Sequence, residues 1–252
     1  MTEISKTADQ ALALLVCIAD RGPASATELA GTLGINRTVV HRLLATLRSR
    51  GFIRKDGNNY VPGAVIVRIA QDVEPALRSA GQPVLQQLAD AVQETTLLEI
   101  RDQREAVVLD QVVAGRHLVS VRRQIGERHP LHLAASGRAM LAFSRKRVVD
   151  RCVAGLPDAD DVRRKLAEVK EAGYEISHDE LLEGVHGIAA PIQDESGQAV
   201  GSMSVVVPMN RAPQLNDHIA ALVRAARTVT ERLAEVQPTV AGSGSASVDL
   251  GA

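Results

Sequence analysis

Apolar residues recur along this chain with two different periods, and the change from one to the other divides it. Ala11, Leu12, Leu14, Leu15, Val16, Cys17 and Ile18 make Ala8–Ala19 almost wholly apolar and predict a first helix, which Asp20-Arg21-Gly22-Pro23 breaks. Leu29 and Leu33 form an i, i+4 pair, and Val40, Leu43, Leu44 and Leu47 form an i, i+3, i+4, i+7 stripe, so two short helices follow. Their punctuation agrees. Ser25 and Glu28 have the spacing of a capping box, and Gly34 supplies the positive φ of a tight helix–helix turn. Asn36 is a favourable N-cap, and Gly51 stands where a helix C′ residue belongs. Phe52–Lys55 and Asn59–Val61 predict short strands around the turn Asp56-Gly57-Asn58. Together these elements predict a winged helix-turn-helix over residues 1–63.

Beyond Gly63 the pattern changes. Val65, Ile66, Ile69 and Val73 have helical spacing, Pro75 and Gly81 interrupt it, and Val84, Leu85, Leu88, Ala91 and Val92 resume it. This predicts a linker helix over 64–80 and a second domain over 81–236. A linker that is apolar on one face must bury that face, and a second subunit is a natural place, because dimers bind two half-sites. Strand candidates are Thr96–Arg101, Ala106–Val113, His117–Arg123, Tyr174–Ser177, Gly187–Gln193 and Ala199–Pro208. Asp158-Ala-Asp-Asp opens a helix striped by Val162, Leu166 and Val169 and closed by Gly173. Ile219, Leu222, Val223, Ala226, Val229 and Leu233 mark a last helix. Strands adjacent in sequence, joined by short turns, predict an α+β fold with a mainly antiparallel sheet. Residues 237–252, rich in Gly and Ser without apolar periodicity, read as a disordered tail.

Charge gives the first domain a partner. Asn36–Lys55 contains six basic residues and no acidic one, in a chain whose net charge is -1. Basic side chains on the outer face of a helix and its wing are the electrostatic footprint of phosphate binding, so double-stranded DNA is expected. Arg37, Thr38, His41 and Arg42 are candidates for base and near-base contacts, and Arg48, Arg54 and Lys55 for phosphates. Arg42, beside the apolar stripe, has an intradomain pairing as its alternative.

Composition excludes other classes. Aromatic residues make up 2% of the 252 residues and Trp is absent, which argues against base stacking on aromatic platforms. Cys17 and Cys152 form no metal or redox spacing and read as buried small hydrophobes. No apolar run is long enough to span a bilayer, and Met-Thr-Glu-Ile-Ser-Lys lacks the core of a signal peptide, so a cytoplasmic location is expected. His129, His132, His178, Asp179, Glu180 and His186 invite a metal reading, but their spacing matches no metalloenzyme pattern. No nucleophile elbow, phosphate-binding loop or dinucleotide glycine pattern occurs, so neither an enzyme nor a cofactor is expected.

The chain resembles the IclR family of bacterial transcriptional regulators over roughly residues 8–236. The resemblance rests on Thr38–Leu47, Arg50-Gly51-Phe52 and Tyr60-Val61-Pro62-Gly63, then on Gly126–His132, Gly137–Ala142 and Gly173-Tyr174. Asp179-Glu180, Gly184–Ile192 and Gly201–Val205 complete it, in the family's order and spacing. It implies a GAF-like effector-binding domain, a homodimer or dimer of dimers, and a small-molecule effector, often an organic acid or aromatic metabolite. It also implies operator binding modulated by that effector, with repression the commoner mode. The family's effector positions fall here on Ala135, Ser136, Ser177, Gly187, Ser204 and Val206. Many members carry an acidic residue at 177, a Cys at 187 and a small polar residue at 206. The departures imply a roomier and less polar pocket with a larger or more apolar effector.

Two further readings bear on that pocket. Met203, Val205 and Val207 alternate with Ser202, Ser204 and Val206, one face fully apolar and the other fit for a cavity wall. Ser136-Gly137 opens a helix whose free amides suit an anion, with a simple N-cap role for Ser136 as the alternative. Against the regulator stands a second class, a small-molecule-binding or catalytic protein whose winged helix mediates protein contacts. A salt series separates the two, since only DNA binding falls steeply with salt.

Overall fold

The structure is a computed structural model and describes residues 3–115 and 117–236. The tail expected over 237–252 lies outside the described residues. The chain divides between Pro75 and Ala76 into two compact units.

The first unit contains α1 (Lys6–Arg21), α2 (Ala26–Leu33), α3 (Arg37–Ser49), the hairpin β1 (Ile53–Asp56) and β2 (Asn59–Pro62), and α4 (Val65–Gln71). Local chemistry sets the helix ends. Glu28 N donates to Ser25 Oγ at 3.3 Å and Ser25 N donates to Glu28 Oε2 at 2.8 Å, closing the capping box. Gly34 takes the left-handed conformation at φ 63, and Thr38 N donates to Asn36 Oδ1 at 2.9 Å. Caps of this kind contribute about 1 kcal/mol. The stripe outweighs them: Val40, Leu43, Leu44 and Leu47 are all buried against Leu14, Ile18, Leu29 and Ile53. Each such side chain contributes about 1.5–3 kcal/mol before entropy is counted. The wing is also anchored from outside the hairpin, because Ala24 and Tyr60 exchange backbone hydrogen bonds of 2.9 and 3.3 Å. Gly63 is required by close approach, since a Cβ there would lie 2.2 Å from Gly51 O.

The second unit starts with α5 (Pro75–Val92), followed by β3 (Thr95–Asp102), β4 (Glu105–Val112) and β5 (Arg128–Pro130). Then come α6 (Ala134–Ala142), α7 (Lys146–Val153), α8 (Ala159–Ala172), β6 (Glu175–His178), β7 (Val185–Gln193), β8 (Ala199–Pro208), a 3₁₀ helix (Met209–His218) and α9 (Ile219–Val236). The six strands form one antiparallel sheet in the order β5-β4-β3-β8-β7-β6. One face of it carries Leu98, Ile188, Ile192, Met203, Val205 and Val207, packed with Leu85 and Leu88 of α5 and Leu222 and Val229 of α9. The opposite face meets α6, where Ala135 and Ala139 touch Ala189. Behind α6 a separate apolar cluster joins Met140 and Leu141 to Val153, Leu166 and Val169.

Three expectations need correction. Gly81 does not interrupt the chain but lies inside α5, where a Cβ would meet Leu98 Cδ2 at 2.8 Å; the glycine serves helix–sheet approach. Residues 117–123 form no strand: Leu118 and Val119 are exposed, and β5 takes the sheet edge instead. The segment is fastened by side chains, with Thr95 Oγ1 donating to Val121 O and Arg123 N donating to Gln111 Oε1. Ser136 is not a helix N-cap, because α6 begins two residues earlier.

Candidate functional site

Each unit presents a candidate site. In the first, all seven residues expected to meet DNA are exposed. At about 100° per residue, Arg37, Thr38, His41, Arg42 and Arg48 lie within an arc of roughly 140° on α3, facing away from the stripe. None of the seven forms an ion pair among the described residues, so Arg42 is not committed to an intradomain carboxylate. Arg37 is tethered, with Nη2 donating to Thr27 Oγ1 of α2 at 2.9 Å. Arg54 and Lys55 are consecutive on β1 and point to opposite faces of the wing, so they cannot serve one row of phosphates.

In the second unit the sheet gathers the six effector-site positions around one cavity of about 40 Å³. Register explains three of them: Ser177 pairs with Gly187 and Gly187 with Val206, one row across β6, β7 and β8. Ser204 occupies the next row, opposite Ala189 and Leu97. Ala135 and Ser136 come from the first turn of α6, directly above this face. The alternation along β8 is as its sequence implied, with Met203, Val205 and Val207 in the core and Ser204 and Val206 at the cavity.

The first two amides of α6 are already engaged by the protein itself. Ala134 N donates to Glu180 Oε2 at 2.8 Å, and Ala135 N donates to Ser177 Oγ at 3.0 Å. The protein's own carboxylate therefore occupies the positive end of the helix dipole. Arg138 fixes that carboxylate: Nη1 and Nη2 donate to Glu180 at 2.6 and 2.7 Å, while Nε donates to Glu175 Oε1 at 2.7 Å. Burial works to raise the Glu180 carboxyl, but the Arg138 guanidinium and the Ala134 amide outweigh it and hold the group below its usual range. For Glu175 burial prevails and its carboxyl is raised, although Arg138 opposes the change. Ala134 is held at φ 58, a left-handed conformation that costs an alanine about 1–2 kcal/mol. The cavity lip is thus maintained by bonds from 42 to 46 residues away in sequence.

The cavity measures about 40 Å³ and is more ionisable than the weakly polar pocket expected. Glu99, Arg123, His129, Glu180 and His186 also line it, and the residues expected to bind the effector included none of them. A β-bulge between Leu98 and Glu99 interrupts the register of β3 with β4. Glu99 is buried, accepts from Ser204 Oγ at 3.2 Å, and has His129 Nδ1 3.9 Å from its other oxygen. Burial lowers the His129 pKa, with Glu99 acting upward and Arg123 downward, so the ring is neutral. Its Nε2 lies 3.3 Å from Ser136 Oγ. Arg123 is buried, and its Nε donates to Glu127 Oε2 at 2.9 Å. Its two Nη groups have no hydrogen-bond partner among the described residues. His186 Nδ1 and His178 Nδ1 are 2.7 Å apart and share one hydrogen bond. At Gly187 a Cβ would find Val206 Cγ1 at 3.4 Å, so Val206 fills part of the space the glycine leaves.

Alternation within Thr96–Arg101 is a signal that could have found Glu99, and His129, Glu180 and His186 lay inside recognisable blocks. Arg123 carried no signal, because its segment read as a strand. His132 lines a different hollow, beside Cys152 and Arg104. Among the described residues no group of three or more His, Cys, Asp or Glu is arranged to hold a metal ion. No described helix is long and apolar enough to cross a membrane.

Comparison with known proteins covers both units. The family model described as "IclR helix-turn-helix domain" matches residues 7–57, and that described as "Bacterial transcriptional regulator IclR C-terminal" matches residues 73–232. The chain is 28% identical over 238 residues to the transcriptional repressor IclR of Escherichia coli (strain K12), covering 87% of this chain and 86% of that protein. Against the HTH-type transcriptional regulator KipR of Bacillus subtilis (strain 168) it is 28% identical over 218 residues, covering 81% and 87%. The crystal structure of Pseudomonas aeruginosa HmgR superposes with TM-score 0.74 at 26% identity, covering 90% of this chain and 97% of that one. An IclR homolog from Microbacterium hydrocarbonoxydans complexed with 4-hydroxybenzoate shares the fold, with TM-score 0.78 at 22% identity and coverage of 90% and 99%.

Proposed function

The chain belongs to the IclR family of bacterial transcriptional regulators and is a DNA-binding regulator with an effector-binding C-terminal domain, and from that premise we propose that it is a repressor released by a small organic acid. In this reading residues 1–63 hold the operator, 64–80 form the link, and 81–236 bind the effector and a second subunit. Arg37, Thr38, His41 and Arg42 read bases while Arg48, Arg54 and Lys55 meet phosphates. The exposed apolar residues Leu12, Val16, Val67 and Ile69 support a homodimer or dimer of dimers, which would cover them. The Escherichia coli relative is itself named a repressor. A regulator that works on DNA acts in the cytoplasm, and its residues provide binding rather than catalysis.

The observation that carries the effector reading is the paired chemistry of the cavity. Arg123 offers unpartnered guanidinium nitrogens suited to a carboxylate. Glu99, buried and already accepting from Ser204, has a carboxyl oxygen facing the cavity that suits a polar group such as a hydroxyl. Ser136, Ser177, Ser204, Ala135, Gly187 and Val206 shape the space between them. At about 40 Å³ the cavity has room for about three waters, whereas sites for larger ligands run to roughly 300 Å³ or more. A larger effector does not fit the cavity in this conformation. The ligand then favours one arrangement of the paired domains over another, and operator affinity follows as a population shift.

Fluorescence anisotropy on the operator adjoining the protein's own gene tests both halves. Three phosphate contacts in each of two subunits give a log–log salt slope of about -5. A flat salt response returns the wing to protein contacts. Glycolate and 4-hydroxybenzoate are to be compared with their amides. Release by the amides as effective as by the acids removes Arg123 from the reading.

A further inference from the structure

A second basin lies in the effector unit, apart from the effector cavity and sharing no lining residue with it. It measures about 300 Å³ and is walled by Arg101 from the end of β3, Arg145, Arg147 and Arg151 from α7 and its approach, and Asp194 and Gln198 from the β7–β8 turn. Four arginines and one aspartate line it, and Arg145 acts electrostatically on Asp194. None of the four has an ion-pair partner among the described residues, whereas their basic neighbours do: Arg128 pairs with Asp102 and Glu105, and Lys146 and Arg163 share Asp150. Asp194 turns inward, its Oδ1 accepting from Ser196 N, Ser196 Oγ and Gln198 N at 2.9, 2.6 and 3.0 Å. The chain as a whole has a net charge of -1, so this excess is local.

The placement also runs against the helix dipole. Arg145 is the N-cap of α7, Lys146 and Arg147 open its first turn, and no side chain caps the helix. Cations at a helix N-terminus oppose its positive end, which instead attracts anions. The amides of Lys146 and Arg147 have no acceptor among the described residues. Unpaired like charges, a concave wall and an uncapped helix start are all relieved by one kind of occupant.

We propose that this basin binds a compact multivalent phosphate, free diphosphate, as an input separate from the effector. Guanidinium forks bind oxyanions in pairs, and tetrahedral phosphates present enough oxygens to engage several forks where a carboxylate engages one. The concave shape admits a small anion and disfavours a duplex backbone.

Isothermal titration of the full chain with sodium pyrophosphate at fixed ionic strength is the test. Pyrophosphate is expected to bind at least about tenfold more tightly than orthophosphate, and Arg147→Gln/Arg151→Gln to weaken it about tenfold or more, as loss of a hydrogen bond to a charged group does. Arg224→Gln/Arg227→Gln, an exposed pair on α9 outside the basin, matches the charge change and leaves binding intact. Circular dichroism confirms that each variant is folded. Three results overturn the proposal: heats no larger than those of sodium chloride, unchanged affinity in Arg147→Gln/Arg151→Gln, or displacement of pyrophosphate by duplex DNA, which assigns the basin to nucleic acid.

Discussion

Replacing Glu180 by Gln isolates the bond set that holds the cavity lip. In the wild type the Glu180 carboxylate takes two hydrogen bonds from Arg138, at 2.6 and 2.7 Å, and one from Ala134 N. Glutamine preserves shape and one acceptor, but its amide nitrogen faces a guanidinium donor. Hydrogen bonds to charged groups contribute about 1.5–3 kcal/mol each, and breaking a buried pair outright costs about 3–5 kcal/mol. Arg138 keeps Glu175, and the Glu180 side chain is 23% exposed, so the expected loss is about 2–4 kcal/mol. For a unit of this size that lowers Tm by roughly 5–10 °C. The effect depends on pH in a defined direction. The folded-state pKa of Glu180 lies below its unfolded value of about 4.3, so its stabilisation is complete above that pH and disappears as pH falls through the folded value. Glu175, raised, contributes with the opposite sign; Glu180 is one cause of its elevation, so Glu180→Gln relieves part of that penalty and trims the gap at neutral pH without reversing it. Thermal melts followed by circular dichroism should show a constant gap at neutral pH that closes below about pH 4. A gap under about 1 °C at neutral pH, or one that persists in acid, would falsify the bond assignment.

Two other outcomes follow. Arg37→Ala should cost about 1–3 kcal/mol at one base position of the operator, measured by anisotropy across single-base variants; equal weakening on every variant makes Arg37 a phosphate contact. His129 is held neutral in the folded state while the unfolded chain takes a proton below about pH 6.5, so wild-type stability falls as pH drops from there. Urea titrations of His129→Gln should show a shallower acid-side decline, and an identical decline would mean that burial does not suppress the charge.

What could be read from the sequence was mostly local. The capping box at Ser25, the turn at Gly34 and the stripe on α3 each depend on residues within one or two helical turns, and each formed where expected. Alternation on β8 was equally legible, because a strand decides inside from outside two residues at a time. The errors came from long-range bonds. Leu118 and Val119 have strand-forming side chains, but Thr95 and Gln111 hold that segment as a loop against β3 and β4. Ser136 resembles an N-cap until Glu180 and Ser177, more than forty residues later, reach the two amides before it. Arg123 enters the cavity on that same loop, and no periodicity marks it. The seven residues expected to meet DNA are exposed as their pattern implied, five of them on one arc of α3, whereas Arg123 at the cavity carried no such pattern.

The alternation on β8 has an evolutionary consequence. Met203, Val205 and Val207 maintain the core while Ser204 and Val206, interleaved with them, face the cavity. Core packing and cavity shape are therefore encoded in alternating positions of a single strand. Substitution at the cavity-facing positions can reshape the cavity without disturbing the helices behind the sheet. Insertion or deletion of one residue would exchange the two sets and destroy both at once. Descendants of this protein can vary the cavity by point replacement along that strand, but not by changes in its length.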